Sequence, residues 1–283
     1  MNTIAILTDL SETSVNAIRF AIHLAKRYHA KIKIYSLVQL PVVCRRELAG
    51  DDDLFPEGDI ADPVLTGFAS AIRTDVLSHS FPGAFFPDIS FGTQSGDLVD
   101  IMTSIINNDD IGMIVTAPGK GTRLAEFMSS DACQKITGWA AVPVIVVPDA
   151  ATVKYPEKIV CLTAAHSADF SHVQQLADII SCFPAEIMVA RLEEFSSAVQ
   201  NSITEKTLSD ELYNQVNYSR IYFKTIPHSR QNDWNWLKSH KHTDLLVVPQ
   251  MPKTAIKKIF SRGISTHTTH HLTIPVMVLP PAK

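Results

Sequence analysis

The sequence predicts an α/β protein made of two tandem doubly wound domains, each with a five-stranded, mostly parallel sheet and helices on both faces. Short apolar runs rich in β-branched residues, typical of parallel strands buried on both faces, alternate with segments of helical spacing. A unit of strand, glycine- or proline-containing turn, helix and strand also occurs twice, at residues 112–149 and 244–281. This repeat predicts two similar domains, at residues 1–149 and 156–283.

In the first half, strands and helices alternate from the beginning. The apolar run Thr3–Thr8 is followed by Asp9, Leu10 and Ser11, and then by apolar residues at helical spacing up to Ala25. Further strands are predicted at residues 31–38, 85–93, 111–117 and 144–147. Helices are predicted at residues 65–78, 97–106 and 131–139, and the acidic stretch 44–63 is interpreted as a solvated loop.

The second half repeats this order. Strands are predicted at residues 158–163, 186–192, 220–226, 245–248 and 276–279. Helices are predicted at residues 170–182, 196–216 and 264–272, with a short helix around Trp234 and Leu237. A polar linker at residues 149–156, with Pro148 before it and Pro156 at its end, joins the two halves.

Composition excludes several classes of protein. The 283 residues are 46% hydrophobic and 19% charged, with a formal net charge of −4, so no nucleic acid or anionic membrane surface is expected as a partner. No apolar run approaches the roughly 20 residues that span a bilayer, and a cytoplasmic location is predicted. The four cysteines have no zinc-like spacing, and no metal is predicted for the acidic run 51–53 or for His267, His270 and His271.

Both ends of the first half resemble a known family. Residues 6–25, which read ILTDLSETSVNAIRFAIHLA, place Asp9 at a strand end and Ser11 at a helix start, as at the opening of universal stress proteins. The segments VPVIVVP, at residues 142–148, and IPVMVLP, at residues 274–280, resemble that family's last strand. Because the resemblance covers essentially the whole chain, it implies a tandem universal stress protein.

The resemblance also implies where a nucleotide such as ATP or AMP would bind. Nucleotide-binding members have a Gly-x-x-Gly turn after the fourth strand, a later Gly followed by Ser or Thr at a helix start, and an Asp that ends the first strand. Glycines allow backbone N–H groups to approach phosphate, and a helix N-terminus favours an anion. Counted back from Pro143, the glycine positions hold Ala117, Lys120 and Ser130, and the hydroxyl position holds Asp131.

Only Asp9 therefore matches that motif, since Gly119 and Gly121 lie out of register. We expect Asp131 to cap its helix and occupy the N–H groups that a phosphate would need. Any small ligand is expected beyond the carboxyl ends of the strands, where the strand order reverses. The candidate pocket positions are Asp9, Leu10, Val38, Ala117, Gly119, Lys120 and Ser130.

The second half departs further from the motif. Ala164 stands where Asp9 stands, and the glycine positions hold Pro249, Pro252 and Arg262, with Gly263 at the hydroxyl position. Two prolines remove two N–H donors from this turn. The basic residues between 253 and 262 are interpreted as a solvated or interdomain face, with an anion-binding patch as the alternative.

Three functions remain open at this point. The sequence favours a stress-response binding or regulatory module with degenerate nucleotide sites. The alternatives are an ATP- or AMP-binding protein that uses Asp9, Gly119, Lys120 and Ser130, and an interaction scaffold without a small ligand. No nucleophile elbow, P-loop or paired-carboxylate pattern is present, so no catalysis beyond weak ATP hydrolysis is expected.

The last apolar strand of each half predicts how the halves meet. In a doubly wound sheet of this kind the final strand lies at an edge, and an exposed apolar edge invites pairing with another strand. Members of the resembling family pair these strands about a two-fold axis. We therefore predict that residues 144–147 and 276–279 lie antiparallel within one chain, as a pseudo-dimer. A homodimer and a protein partner are left open.

Overall fold

The computed structural model describes residues 2–9, 11–36, 85–93, 98–108, 110–163, 170–192, 205–226, 243–261 and 272–281. Ten strands form one sheet. They are β1 Thr3–Thr8, β2 Lys31–Ser36, β3 Ile89–Thr93, β4 Ile111–Thr116, β5 Val144–Val146, β6 Lys158–Thr163, β7 Glu186–Leu192, β8 Ile221–Ile226, β9 Leu245–Pro249 and β10 Val276–Leu279. The helices of the described part are α1 Glu12–Tyr28, α2 Leu98–Asn108, α3 Leu124–Met128, α4 Asp131–Trp139, α5 Ser171–Ile180, α6 Glu205–Gln215 and α7 Lys253–Ser261.

The strand order is β3-β2-β1-β4-β5-β10-β9-β6-β7-β8. Neighbouring strands are parallel except β5 and β10, which are antiparallel. The order reverses between β1 and β4 in the first half and between β6 and β9 in the second. The sheet therefore consists of two doubly wound halves joined edge to edge, which confirms the predicted fold class.

The central pairing of β5 and β10 sets Val146 opposite Val276, Ile145 opposite Met277 and Val144 opposite Val278. All six side chains are at most 4% exposed. The antiparallel arrangement predicted for the two last strands is thus present. It removes two apolar edges from solvent, because each strand supplies the neighbour that the other lacks.

Helices cover the sheet on both faces. On one face α1, α5 and α6 pack over the odd-numbered core positions of β6 to β8 and the even-numbered positions of β1 and β2. Here α1 contacts α5 directly, since the Tyr28 hydroxyl donates to the Ile179 carbonyl at 2.8 Å. Arg27 Nε donates to the carbonyl of Cys182, just after α5, at 2.7 Å. On the other face α2 and α4 cover the first half, and α3 and α7 pack near the junction.

One side chain ties the end of β5 to α1. The Asn16 amide Nδ2 lies 3.2, 3.0 and 2.9 Å from the carbonyl oxygens of Pro148, Asp149 and Ala151. These three residues begin the connection between the halves. Asn16 therefore fixes the direction in which the chain leaves the first half.

Several element bounds match the prediction, namely those of β1, β6, β7, β10 and α4. Strand β3 was predicted from residue 85 but begins at Ile89, after Pro87. Helices α3 and α7 were missed. In α7, Ile256 and Phe260 are at most 2% exposed, so the basic segment is a packed helix whose apolar side is buried. The elements predicted at 65–78, around 234–237 and at 264–272, and the loop 44–63, lie outside the described residues.

In the part of the chain that the structure describes, no helix is long and apolar enough to cross a membrane.

Candidate functional site

The carboxyl ends of β1 and β4 lie side by side where the strand order of the first half reverses. Asp9 follows β1, and Gly119 lies in the turn after β4. A Cβ atom built on Gly119 would lie 4.0 Å from Asp9 Oδ2. The structure therefore brings two of the predicted pocket residues into contact. Because 4.0 Å is an ordinary contact distance, the space at residue 119 does not itself require glycine.

Asp9 is partly engaged by the protein. Its Oδ1 atom accepts hydrogen bonds from the Ser11 backbone N–H at 3.0 Å and from the Ser11 hydroxyl at 2.5 Å. This arrangement is an Asx-type turn that directs the chain into α1. One carboxylate oxygen thus shapes the turn, while Oδ2 faces the segment after β4.

The turn after β4 retains part of an anion cradle. Pro118 has no N–H group, and among the described residues no acceptor is found for the N–H groups of Gly119, Lys120 and Gly121. Gly121 has a φ of 76°, a conformation that glycine adopts without strain. Lys120 is exposed at the same turn. The site therefore offers backbone donors and one cation, next to the Asp9 carboxylate.

The beginning of α4 differs from the prediction. Ser130, not Asp131, caps the helix, since the Ser130 Oγ atom accepts the Cys133 N–H at 3.1 Å. Ser130 has the extended conformation of a cap, with φ −78° and ψ 160°, whereas Asp131 is the first helical residue. A side chain caps only from that extended position, so the prediction for Asp131 was wrong.

Asp131 instead forms an ion pair with Lys253, the first residue of α7 in the second half. A hydrogen bond from Lys253 and its positive charge lower the pKa of the exposed Asp131 carboxyl. Lys257 and Lys135 contribute smaller charge effects in the same direction. The acidic group at this helix start is therefore directed to the other half of the sheet.

Two further predicted pocket positions, Ala117 and Ser130, are half-buried. Ala117 is half-buried at the end of β4 and packs against the core. Ser130 is half-buried at the beginning of α4. Leu10 and Val38 lie outside the described residues.

The corresponding turn of the second half has fewer backbone donors in its described residues. Pro249 ends β9, and the N–H of Gln250 donates to the Leu279 carbonyl at 2.8 Å. Pro252 directly precedes α7, and its carbonyl oxygen accepts hydrogen bonds from the N–H groups of Ala255 and Ile256. The two prolines remove two donors from the turn, as the sequence predicted, and the structure adds that the Gln250 N–H is engaged. Ala164, Arg262 and Gly263 lie outside the described residues.

Arg191 is a functional candidate that the sequence interpretation missed. It lies in β7 and is only 8% exposed. Its Nη2 atom donates to the Thr225 hydroxyl at 3.2 Å. The signal available in the sequence was a single arginine inside the apolar run 187–192, because arginine is rarely buried without a partner.

Among the described residues, no group of three or more His, Cys, Asp or Glu side chains could hold a metal ion. The acidic run 51–53 and His267, His270 and His271, which were considered from the sequence, lie outside that part of the chain.

Comparison with known proteins places the fold. No protein-family model matches the chain, and no curated protein matches it. Among solved structures, a universal stress protein from Archaeoglobus fulgidus DSM 4304 is similar with a TM-score of 0.60 at 11% identity, over 100% of this chain and 97% of that one. A protein of unknown function from Pseudomonas aeruginosa PAO1 is similar with a TM-score of 0.57 at 11% identity, over 100% and 93%.

A third similar structure is a domain of a transport protein. The cytoplasmic domain of a prokaryotic cation chloride cotransporter is similar with a TM-score of 0.52 at 9% identity, over 99% of this chain and 95% of that one. These matches place the chain among proteins with a tandem, doubly wound α/β fold. The chain has the fold seen in universal stress proteins, and the resemblance inferred from its sequence is confirmed at the level of the fold.

Proposed function

We propose that the chain is a tandem universal stress protein that acts as a binding or regulatory module with degenerate nucleotide sites. The observation that carries the proposal is the start of α4, where the Ser130 hydroxyl accepts the Cys133 N–H. In nucleotide-binding members this position is a glycine. A side chain that satisfies the helix N–H leaves one donor fewer for a phosphate.

The surrounding charges favour the same conclusion. Asp131 adds a negative charge to the first turn of α4, which disfavours a second anion at this helix start, and Lys253 offsets it only in part. The second half has Pro249 and Pro252 in its turn, and the Gln250 N–H is engaged by Leu279. Among the residues that the structure describes, neither half therefore has the full set of glycine N–H groups found in the nucleotide-binding motif.

Isothermal titration calorimetry with ATP and AMP in the presence of magnesium tests the proposal. We expect little binding by the unmodified chain at micromolar nucleotide. The combined variant Lys120→Gly, Ser130→Gly and Asp131→Ser should bind ATP more tightly, because it restores two glycines and the hydroxyl. Replacing a cap serine by glycine costs only a few tenths of a kcal/mol, so the variant should still fold.

Ser129→Gly is the matched control for Ser130→Gly. The Ser129 hydroxyl donates to the Ala125 carbonyl at 2.9 Å and does not occupy a helix N–H. The variant Lys120→Gly, Ser129→Gly and Asp131→Ser should therefore bind ATP less tightly than the combined variant that contains Ser130→Gly. An equal gain from both would mean that the cap is not what weakens the site.

A second candidate is an ATP- or AMP-binding first half that uses Asp9, Gly119, Lys120 and Ser130. The N–H groups of Gly119, Lys120 and Gly121, for which the described residues supply no acceptor, favour it. This candidate predicts a thermal shift with ATP and magnesium that Asp9→Asn reduces. Weak ATP hydrolysis is the only activity we expect with it, and its detection in the purified chain would favour this candidate.

A third candidate is an interaction scaffold without a small ligand. The fold also occurs as the cytoplasmic domain of a cotransporter, and a fold by itself does not define a ligand. No nucleotide response, together with a specific partner in a pull-down, would favour the scaffold. In each case we propose a cytoplasmic protein with domains at residues 1–149 and 156–283, and a homodimer is open to test by light scattering.

A further inference from the structure

Arg191 presents a buried positive charge at the carboxyl edge of the second half. It is 8% exposed, and within the described part of the chain no carboxylate forms an ion pair with it within 4.0 Å. Its polar partner is the Thr225 hydroxyl at 3.2 Å. A buried charge without a counter-ion is costly, so natural proteins seldom keep one unless something else compensates it.

A second buried polar group lies beside it. Thr163 is the last residue of β6 and is 7% exposed, and its Oγ1 atom has no hydrogen-bond partner among the residues that the structure describes. Thr163 is in register with Arg191 on β7, which is in register with Thr225 on β8. In neighbouring parallel strands, residues in register project to the same face of the sheet. The row therefore sets two hydroxyls on either side of one guanidinium.

An aromatic ring packs next to the Arg191 guanidinium. The Phe223 ring lies 5.9 Å from the Arg191 guanidinium carbon and contacts the Phe170 ring edge-on at 6.1 Å. An aromatic ring at this distance stabilises the guanidinium through a cation–π interaction. The nearby Glu205 carboxylate accepts the Thr225 N–H at 3.0 Å and is exposed, so it is engaged with the backbone.

The corresponding row of the first half has no cation. Thr8, Ser36 and Thr93 are in register at the ends of β1, β2 and β3. The Thr8 hydroxyl donates to the Ser14 hydroxyl at 2.7 Å and so has a partner within the protein. The charged row is thus a property of the second half alone.

We propose that Arg191, Thr163 and Thr225 form a binding site for a small oxyanion, either a phosphate or a carboxylate group of a free small molecule. The planar guanidinium offers paired N–H donors that match two oxygens of such a group. The Thr163 hydroxyl supplies a third donor, and Thr225 accepts from Arg191 while its own proton remains free to donate. The site adjoins β9, at the second point where the strand order reverses, and it uses side chains in place of a glycine turn.

Thermal shift and calorimetry with inorganic phosphate and with succinate, each against sodium chloride of equal ionic strength, test the site. The unmodified chain should respond to at least one of them at millimolar concentration. Arg191→Met should lower the affinity by roughly tenfold to a hundredfold, and Thr163→Val by roughly twofold to tenfold, from the usual strengths of charged and neutral hydrogen bonds. A response to phosphate alone identifies a phosphate site, and a response to succinate alone identifies a carboxylate site.

Arg220→Met is the matched control. It makes the same change of charge in the same half, but Arg220 is exposed and donates to the Pro184 carbonyl at 2.7 Å. This variant should keep the full response. In anion-free buffer Thr163→Val should unfold at the same or a higher temperature, because it removes a buried hydroxyl for which the described residues offer no partner.

Two results would overturn the proposal. One is that the unmodified chain responds to neither anion, a measurement that does not depend on the folding of any variant. The other is a response that persists in both Arg191→Met and Thr163→Val. Because these residues lie far along the chain from Asp9 and Ser130, either result leaves the proposed nucleotide degeneracy of the first half untouched.

Discussion

The junction between the two halves is open to a direct test at Val278. This residue lies in β10 opposite Val144 of β5 and is 4% exposed. Its side chain belongs to the apolar cluster that also contains Val146, Val276 and Phe260. The change Val278→Asp places a carboxylate inside that cluster, and among the described residues no cation forms an ion pair there.

The expected cost has two parts. Losing the burial of one valine side chain costs about 1.5–3 kcal/mol. Burying an unpaired carboxylate adds several kcal/mol more, even after relaxation. The total, of the order of 5 kcal/mol or more, is comparable with the whole stability of an ordinary domain, about 5–15 kcal/mol. The variant should therefore separate β5 from β10 or unfold the junction.

Urea unfolding and size-exclusion chromatography measure this effect. We expect a larger hydrodynamic radius and a loss of cooperative unfolding for Val278→Asp, and the same for Val146→Asp. The deficit should shrink at low pH, because burial raises the pKa of the new carboxyl and the protonated form costs less. Thr273→Asp, at an exposed position shortly before β10, is the control and should behave like the unmodified chain. If Val278→Asp unfolded cooperatively at the urea concentration of that control, the pairing would not hold the halves together.

Two further predictions concern contacts that the sequence did not reveal. Asn16→Ala removes the amide contacts with three carbonyl oxygens after β5 and should lower the free energy of unfolding by about 1–3 kcal/mol. Urea unfolding measures the loss, with Asn214→Ala at an exposed helix position as the control. Equal free energies of unfolding for the two variants would refute the anchoring role of Asn16. The pairing with Lys253 lowers the pKa of Asp131, so its stabilising contribution is present above the ordinary carboxyl pKa of 3.8 and lost as the pH falls through the lower folded value. In an NMR titration Lys253→Met should raise that pKa, and an unchanged value would show that the ion pair does not form in solution.

The parts of the fold that could be predicted from sequence are those set by local patterns. Strand β1, β6 and β10 are apolar runs buried on both faces, and their bounds follow from where the runs end. The repeat of the strand–turn–helix–strand unit then predicted two halves. The pairing of β5 with β10 was predicted from their apolar edges together with the pairing that the resembling family implies. Helices α3 and α7 were missed because each is short and its apolar residues stand among charged ones.

The site was harder to predict for physical reasons. Ser130 and Asp131 are both good capping residues and adjacent in sequence, so only the backbone conformation decides between them. The contact of Asp131 with Lys253 joins residues far apart in the chain, and no spacing rule reports it. The row of Thr163, Arg191 and Thr225 likewise depends on the register of three strands.

The most direct test of the central claim is a calorimetric titration of the unmodified chain with ATP, and then AMP, in the presence of magnesium. The account predicts little binding at micromolar nucleotide, because Ser130 occupies a helix N–H and the glycine positions hold other residues. Tight ATP binding that is lost in Asp9→Asn would contradict it and would show that the first half is a working nucleotide site.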